Sequence, residues 1–244
     1  MEWNKKYSYP SSTRAIVNGS RHYSMDGFNL PSVTTILAAT KSEEDKAAIA
    51  AWKERVGHRE AERIKNEASS RGNSMHSYIE QFLLGKMNLD LLEEDNHSKR
   101  MAEEIIDSGL KDKLSEIWGA EATVYYPGKY AGTADCIGVY EGKNSLLDFK
   151  QANKPKKKEW IDDYFLQTSA YAKAHDYVYG SNIEQCIIMV CTPDLYYQEF
   201  KIQDSELRSW KHKFLKRLDM YNELIHDEKE QANVHLDVDA FNGA

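Results

Sequence analysis

Two consecutive strand-like segments, residues 130–140 and 145–150, constrain the fold of this chain more than any other feature of its sequence. Side chains alternate between the two faces of an extended strand, so Asp148 and Lys150 point to the same side of the second segment. If the two segments pair as a hairpin, Asp135 of the first lies beside Asp148. The sequence therefore predicts a sheet that gathers two carboxylates and one ammonium group around a single point.

Two carboxylates held this close repel each other unless a cation joins them. A hard divalent ion such as Mg²⁺ suits the position, because it prefers a few oxygen ligands and retains waters. The alternative is a solvent-facing salt bridge between Asp148 and Lys150, which is the usual role of an Asp-x-Lys triplet. The apolar pair at 146–147 and the small residues at 132–134, just before Asp135, favour a buried site that a ligand or backbone can approach closely.

The rest of the chain divides into a helical first part and a second part in which strands and helices alternate. This pattern predicts an α/β fold with a central mixed sheet flanked by helices and an N-terminal helical annex. The Asn18-Gly19 pair predicts a tight turn between strands at 14–17 and 21–24, and Ser32 is a candidate N-cap of a short helix. Helices are predicted at residues 43–86, 97–117, 159–179 and 204–227, and further strands at 121–126, 184–191 and 196–202.

The same pattern suggests three regions within one compact unit. They are an N-terminal hairpin and helical annex (1–117), a core (118–230) and a C-terminal arm or tail (231–244). With 244 residues the chain is long enough to bury a sizeable core. We expect the N-terminal helices to cover the carboxylate site as a lid or arch.

Composition narrows the class of protein. The three cysteines, Cys136, Cys186 and Cys191, lack CxxC spacing, which favours a reducing compartment and argues against a zinc or iron–sulfur site. No apolar stretch has the length of a membrane span, and the first residues lack the apolar segment of a secretion signal. We therefore expect a cytoplasmic protein without a membrane partner.

Charge is distributed unevenly along the chain. The net charge of −7 is unusual for a protein that coats nucleic acid, because affinity for a polyanion comes from Lys and Arg. Residues 150–158, however, contain five lysines and no acidic residue. Beside a carboxylate pair this segment favours a clamp for phosphate groups, and a solvated turn broken by Pro155 is the alternative. Its last four lysines are called the lysine run below, and they are Lys154, Lys156, Lys157 and Lys158.

Two predicted helices each carry a polar residue among apolar ones. His76 follows Gly72 by one turn, so Gly72 leaves space beside the imidazole. A histidine on an apolar face is more often a hydrogen-bonded core residue than a metal ligand, and both interpretations stay open. Gln167 lies in an aromatic stripe with Tyr171, and its amide needs hydrogen-bond partners that residues near Lys150 can supply.

The order of the motifs is itself informative. Along the chain follow Leu-Pro-Ser-Val-Thr at 30–34, Gly-x-x-x-His at 72–76, Gly-x-x-Asp at 132–135, Asp-x-Lys at 148–150 and Gln-x-x-x-Tyr at 167–171. This order resembles the RecB-like branch of the PD-(D/E)xK nuclease superfamily, and within it the mitochondrial genome maintenance exonucleases and their phage relatives. The resemblance covers about residues 30–191 and implies a restriction-endonuclease-like core.

The resemblance also implies roles for individual residues. The implied metal ligands are Asp135, Asp148, the Phe149 carbonyl, His76 and, as a further acid, Glu121. Lys150 would position the attacking water, and His76 would assist catalysis at the metal. Gln151 replaces the Thr or Ser that many RecB-like members carry after the lysine. Gln167 and Tyr171 would support the site and contact DNA. Further candidates for support or DNA contact are Gln151, Ser32, Thr34 and, from its charge, the lysine run.

These features together predict a Mg²⁺- or Mn²⁺-dependent exonuclease that hydrolyses DNA phosphodiester bonds on single strands or at free ends. We expect it to serve phage or bacterial DNA processing, alongside replication or recombination proteins. No iron–sulfur cluster is expected, because the four cluster cysteines of some relatives are absent. The alternatives are a structure-specific endonuclease with the same centre and a catalytically silent DNA-binding or recombination module. Binding alone does not require clustered carboxylates, which repel phosphate, so the last alternative is disfavoured.

Overall fold

The computed structural model describes residues 1–17, 19–25, 27–86 and 97–241. The strands in this part of the chain are β1 (Glu2–Trp3), β2 (Thr13–Val17), β3 (Ser20–Met25), β4 (Phe28–Pro31), β5 (Leu114–Tyr126), β6 (Tyr130–Tyr140), β7 (Lys143–Gln151), β8 (Gln185–Cys191) and β9 (Tyr197–Gln203). The α-helices are α1 (Val33–Ala39), α2 (Glu43–Val56), α3 (His58–Leu83), α4 (His97–Ile105), α5 (Asp162–Tyr179) and α6 (Asp204–Phe241), with a π-helical turn at Ile106–Leu110 and a 3₁₀ turn at Lys158–Trp160.

Six strands form one mixed sheet in the order β1-β5-β6-β7-β8-β9. The neighbours β5, β6 and β7 are antiparallel, whereas β7 and β8 run parallel because α5 crosses between them. Helices α1, α5 and α6 pack on one face of this sheet and α3 and α4 on the other. The structure therefore confirms the predicted α/β fold with a central mixed sheet flanked by helices.

Strand β8 shows how the two faces are filled. Cys186, Ile188 and Val190 face the layer formed with α1, α5 and α6, while Ile187 and Met189 face the layer under α3 and α4. A strand covered on both sides reads as a continuous apolar run, because no position can face water. The sheet is thus fully enclosed where its neighbour β7 carries the Asp-x-Lys motif.

The hairpin predicted between β6 and β7 is confirmed. Cys136 lies opposite Leu147 in antiparallel register, and the connecting turn consists of Glu141 and Gly142. Both turn residues have positive φ, 48° and 75°. Two-residue turns of this kind match the right-handed twist of the strands they join, which fixes the register.

A second, three-stranded antiparallel sheet, β2-β3-β4, precedes α1. Asn18, the first residue of the predicted turn between β2 and β3, lies outside the described residues. Ser32 caps α1 as predicted, since its Oγ accepts a hydrogen bond from the Thr35 N–H at 3.0 Å. Ser32 also bridges to Ala131 of β6, which fixes the small sheet and α1 beside the main sheet.

The helix predicted over residues 97–117 is wrong beyond Leu110. Helix α4 ends at Ile105, the π-helical turn follows, and β5 begins at Leu114. Leu114 and Ile117 have helical spacing, yet both face the layer under α3 and α4 from a strand. A register shift directly after Leu114 inserts one extra residue into the strand. Leu114 and Ile117, which are three residues apart, therefore turn to the same side of the sheet.

Other predicted boundaries also differ from the structure. The helix predicted at 43–86 is two helices, because Gly57 between them has φ 86°. Strand β5 crosses the boundary drawn at 117, and β1 of the predicted annex pairs with it in the main sheet. Helix α6 continues to Phe241, so the arm or tail predicted from residue 231 is helical up to that point. Among the described helices, none combines the length and the apolar composition that a membrane crossing requires.

Candidate active site

Three carboxylates lie in a row across β5, β6 and β7. The residue pairs on either side of Glu121 place it opposite Asp135. The register of β6 and β7, continued by one residue beyond Cys136 and Leu147, places Asp135 opposite Asp148. Neighbouring strands lie roughly 4.8 Å apart, so the sheet itself brings the three acids together.

The backbone fixes two of these acids in unusual surroundings. Oδ2 of Asp135 accepts a hydrogen bond of 2.7 Å from the Phe149 N–H, while the Phe149 side chain is buried under α3 and α4. Glu121 has φ 48°, which is uncommon for a residue with a side chain. Such a conformation persists only where the surrounding structure imposes it, and it occurs frequently at functional sites.

Helix α3 brings His76 over the acids, and the buried Met75 and Ile79 anchor this part of the helix. Nδ1 of His76 lies 3.6 Å from Oδ2 of Asp135 and 3.7 Å from Oε1 of Glu121. One ligand atom from each of these three residues lies within 4.8 Å of the other two. His76 therefore faces the acids rather than the apolar core.

The acids determine the charge of His76. Burial lowers its pKa, but the charge of Asp135 and the nearby carboxylate of Glu121 outweigh burial and raise the pKa to about 9. Without a bound cation the imidazole is thus protonated near neutral pH and compensates part of the negative charge beside it. A metal ion that binds His76 would have to displace this proton.

Asp148 and Lys150 form a buried ion pair. Asp148 is 1% exposed, and Nζ of Lys150 lies 2.7 Å from its Oδ2 without hydrogen-bond geometry. Burial raises the pKa of Asp148 to about 6, with Lys150 lowering it and Asp135 raising it. Burial lowers the pKa of Lys150, but the charges of Asp148 and Asp135 raise it overall. The ammonium group therefore stays charged next to the acids.

Helix α5 supports Asp148 from the opposite side. Nε2 of Gln167 lies 3.4 Å from Oδ1 of Asp148 and 3.3 Å from the hydroxyl of Tyr171, so the predicted need for polar partners is met near Lys150. A Cβ atom at Gly132 would lie 2.2 Å from Cε1 of Tyr171. The small residue before Asp135 thus admits an aromatic ring, not a ligand or backbone as the sequence suggested.

Gln151 joins α3 to the end of β7. Its Nε2 donates to the carbonyl of Ala68 at 3.1 Å, while its Oε1 is buried without a hydrogen-bond partner among the described residues. A Cβ atom at Gly72 would meet Cγ of Gln151 at 3.6 Å, which is an ordinary contact. The space predicted beside the imidazole of His76 therefore lies beside Gln151.

A cavity of about 480 Å³ between α3 and the small sheet is bordered by most of these groups, namely His76, Glu121, Asp135, Phe149, Lys150, Gln151, Gln167 and Tyr171, whereas the buried Asp148 is not part of its lining. Ser32 and Thr34 line it, and their hydroxyls are 2.9 Å apart. Its wall also contains Arg14 and Arg21, which no sequence motif singled out. Neither arginine pairs with a carboxylate among the described residues. Arg14 donates a hydrogen bond to the Thr133 hydroxyl at 2.8 Å. Their position in the two strands just before the Leu-Pro-Ser-Val-Thr motif was the available signal.

The lysine run lies outside the lining of this cavity. Nζ of Lys158 pairs with Oε1 of Glu206 at 2.7 Å, and Nζ of Lys157 lies 5.0 Å from the centre of the exposed Trp160 ring. The backbone of Lys156 exchanges two hydrogen bonds with the Gln198 side chain. The structure therefore separates the lysine run from the acids, and its role as a phosphate clamp stays a prediction.

The donor set suits a hard divalent cation. His76, Glu121 and Asp135 offer one nitrogen and two carboxylate oxygens, a combination that accommodates Mg²⁺ or Mn²⁺. Oδ2 of Asp148 faces the Lys150 ammonium at 2.7 Å, and the register of β6 and β7 keeps this carboxylate beside Asp135 as a further candidate ligand. Phe149 borders the cavity beside these donors, which keeps its carbonyl among the candidate ligands.

Comparisons with known proteins agree with the motif order. No family model matches the sequence. The chain is 31% identical over 206 residues to mitochondrial genome maintenance exonuclease 1 of Mus musculus and 30% identical over 206 residues to that of Homo sapiens. Each match covers 80% of this chain, and the matches cover 60% of the mouse protein and 58% of the human protein. The chain thus spans about three fifths of the length of these curated relatives. They confirm the resemblance to nucleases of the PD-(D/E)xK type.

Two solved structures of exonucleases match parts of the chain at low structural similarity. A putative exonuclease from Eubacterium rectale matches with a TM-score of 0.42 and 15% identity, covering 62% of this chain and 64% of its own. An alkaline exonuclease from Laribacter hongkongensis matches with a TM-score of 0.31 and 17% identity, covering 66% of this chain and 85% of its own.

Proposed function

We propose that this chain, a nuclease of the PD-(D/E)xK type, is a Mg²⁺- or Mn²⁺-dependent exonuclease that hydrolyses DNA phosphodiester bonds. The observation that carries the proposal is the cluster of His76, Glu121 and Asp135 directly beside the buried pair of Asp148 and Lys150. Acids in a row, a histidine and a charged lysine are the groups that metal-assisted hydrolysis of a phosphodiester requires.

The side chains at the site would have separate roles in the reaction. A bound divalent ion would polarise a phosphate oxygen and lower the pKa of a water molecule, and Asp135, Glu121, Asp148 and His76 would hold it. Lys150 keeps its proton because Asp148 and Asp135 raise its pKa, so it supplies a fixed positive charge for the phosphate or for the attacking water. Gln167 and Tyr171 hold Asp148 from α5.

The opposite wall of the cavity suits the substrate backbone. Arg14 and Arg21 are unpaired with acids among the described residues, and guanidinium groups bind phosphate through paired hydrogen bonds. The hydroxyl of Thr34 adds a polar group on the same side, whereas Ser32 donates its hydroxyl proton to Oγ1 of Thr35. A cavity enclosed by α3 and the small sheet suits a single strand or a frayed end better than an intact duplex. We therefore assign single-stranded DNA or DNA ends as the substrate.

The exonuclease mode rests on the names of the curated relatives, which are exonucleases. The process we assign is DNA replication or recombination in a phage-infected or bacterial cytoplasm, in company with other replication or recombination proteins. A structure-specific endonuclease with the same centre is the alternative that the experiment below separates.

The test is digestion of end-labelled linear single-stranded, linear duplex and circular single-stranded DNA with Mg²⁺, Mn²⁺ or EDTA. We expect linear single strands to be degraded with either metal, circles to survive, and EDTA to stop the reaction. Asp148→Asn should abolish degradation, whereas Asp219→Asn, an exposed acid on α6, should not change it. Cleavage of circles would establish the endonuclease, and DNA binding without cleavage under any metal would establish a silent module.

A further inference from the structure

A second cavity adjoins the active-site cavity. It has a volume of about 470 Å³ and lies between the N-terminal segment, residues 3–12, and residues 118–123 of β5. Glu121 borders both cavities, so the two meet at this carboxylate. We call the second cavity the N-terminal groove.

The N-terminal segment is attached to β5 at both ends of this groove. At one end β1 pairs with β5, and the Asn4 N–H donates to the Ile117 carbonyl at 2.8 Å. At the other end the hydroxyls of Ser12 and Thr123 are 2.9 Å apart. The segment between these anchors stands beside β5 without continuing the strand pairing, which leaves the groove as a built feature of the fold.

The wall of the groove is aromatic. Trp3 is 42% exposed, and its Nε1 donates to the Leu83 carbonyl at 2.7 Å, which holds the indole in one orientation. Tyr7 and Tyr9 are half-buried and continue the wall along the segment. A Cβ atom at Gly119 would lie 2.6 Å from the Tyr9 ring, so the glycine is what admits the ring against β5.

Cations accompany these rings. Lys5 lines the groove and is exposed, and Nζ of Lys6 lies 4.7 Å from the Trp118 ring centre and 5.3 Å from that of Tyr7. Among the described residues that line the groove, Glu121 at the junction is the one acid. Glu116 lies near Lys6 but is engaged by the indole N–H of Trp118 at 2.9 Å.

We propose that the N-terminal groove is a second nucleotide-binding subsite, in which bases of a single-stranded polynucleotide stack beyond the phosphate at the metal centre. Fixed rings with an exposed face bind any base by stacking, and neighbouring lysines bind the backbone phosphates. The occupant is a single strand, because the groove and the cavity that would hold the scissile phosphate share Glu121. The inference rests on the proposed function and extends it to the nucleotides next to the reaction.

The test measures kcat and KM of the full chain for single-stranded oligonucleotides from dinucleotide to dodecamer. A subsite next to the reaction makes KM fall as the strand grows long enough to reach it. Trp3→Ala/Lys5→Gln should abolish this gain and raise KM about tenfold for long strands, because one base loses its stacking partner and one phosphate its cation. The values for the shortest substrate should not change.

Two further variants separate stacking from folding. Trp3→Phe keeps an aromatic face and should restore most of the length dependence. Met220→Ala/Lys216→Gln removes an exposed apolar side chain and a lysine from α6, outside both cavities, and should behave as wild type.

The outcomes distinguish failure of the nucleotide subsite from failure of the proposed nuclease function. Wild-type cleavage whose length dependence survives in Trp3→Ala/Lys5→Gln would overturn the subsite and leave the nuclease intact. An equal loss at every length would also overturn it, since the segment would then only brace β5. A wild-type protein that cleaves no DNA with any metal would refute the proposed function, and the subsite with it.

Discussion

Two glycines at the active site should respond in opposite ways to the same substitution. Gly132→Ala adds a Cβ atom 2.2 Å from Cε1 and 2.6 Å from Cζ of Tyr171. Carbon atoms in contact are about 3.5–4.0 Å apart, so the overlap exceeds about 1 Å. The ring of Tyr171 is 3% exposed and its hydroxyl contacts Gln167, so it cannot move aside without disturbing the support of Asp148.

The magnitude follows from general costs of overpacking. Forcing extra atoms into a packed core costs about 1–3 kcal/mol, and this overlap belongs at the upper end of that range. Replacing Gly by Ala within a strand returns roughly 0.5–1 kcal/mol. We therefore expect Gly132→Ala to lower the free energy of unfolding by about 2 kcal/mol and to reduce DNA cleavage.

Gly72→Ala is the matched control. The new Cβ would meet Cγ of Gln151 at 3.6 Å, an ordinary contact, and Ala is favoured over Gly inside a helix by about 1 kcal/mol. Urea denaturation should rank Gly72→Ala above wild type and Gly132→Ala below it. Tyr171→Leu combined with Gly132→Ala should cost less than the sum of the two single changes. Equal stability of the two alanine variants, or strict additivity with Tyr171→Leu, would refute the reasoning.

Three other predictions follow from the charged groups. Asp148→Asn should lower the free energy of unfolding at pH 7 by roughly 3 kcal/mol, because it leaves the buried charge of Lys150 without its partner. Adding Lys150→Met should recover most of this loss. An Asp148→Asn protein as stable as wild type in urea denaturation would contradict the prediction. Burial lowers the pKa of His175 to about 4, with Asp176 opposing and Lys6 adding to the effect, so the unfolded chain binds a proton first as pH falls. Because the raised pKa of Asp148 contributes a slope of opposite sign, the prediction concerns the difference between wild type and His175→Gln. Between about pH 6.5 and 4 the free energy of unfolding of wild type should drop relative to that of His175→Gln by at most ~1.4 kcal/mol per pH unit, and parallel pH profiles would contradict this. Arg14→Gln/Arg21→Gln should raise KM for DNA and flatten the salt dependence of binding by roughly 0.7 per lost phosphate contact on single strands. Changing the whole lysine run to Gln should also flatten this dependence, without altering the rate on bound substrate. In salt titrations, an unchanged slope for either variant would show that its cations make no phosphate contacts.

The pairing of β6 with β7 could be predicted from the sequence because it depends only on residues that are close together in the chain. The turn at Glu141 and Gly142 sets the hairpin register, and that register alone places Asp135 opposite Asp148. Where a strand is irregular, periodicity misleads: one extra residue near Leu114 gives Leu114 and Ile117 the spacing of a helix.

The rest of the site depends on contacts between distant segments. Glu121 enters the cluster through its register with β6, after a stretch that the sequence assigned to a helix. Arg14 and Arg21 reach the cavity only because the small sheet packs beside β6 through Ser32. No motif spacing in the sequence predicts this packing. The lysine run is conspicuous in the sequence, yet it lies outside the cavity.

The most direct test of the account is a calorimetric titration of the protein with Mn²⁺. The central claim is that His76, Glu121, Asp135 and Asp148 form one divalent-metal centre. The wild-type protein and the exposed-acid control Asp219→Asn should bind with the same affinity, while Asp135→Asn, which keeps the side-chain shape, should bind more than about tenfold more weakly. Equal Mn²⁺ affinity in wild type and Asp135→Asn would contradict the claim, whatever the activity on DNA.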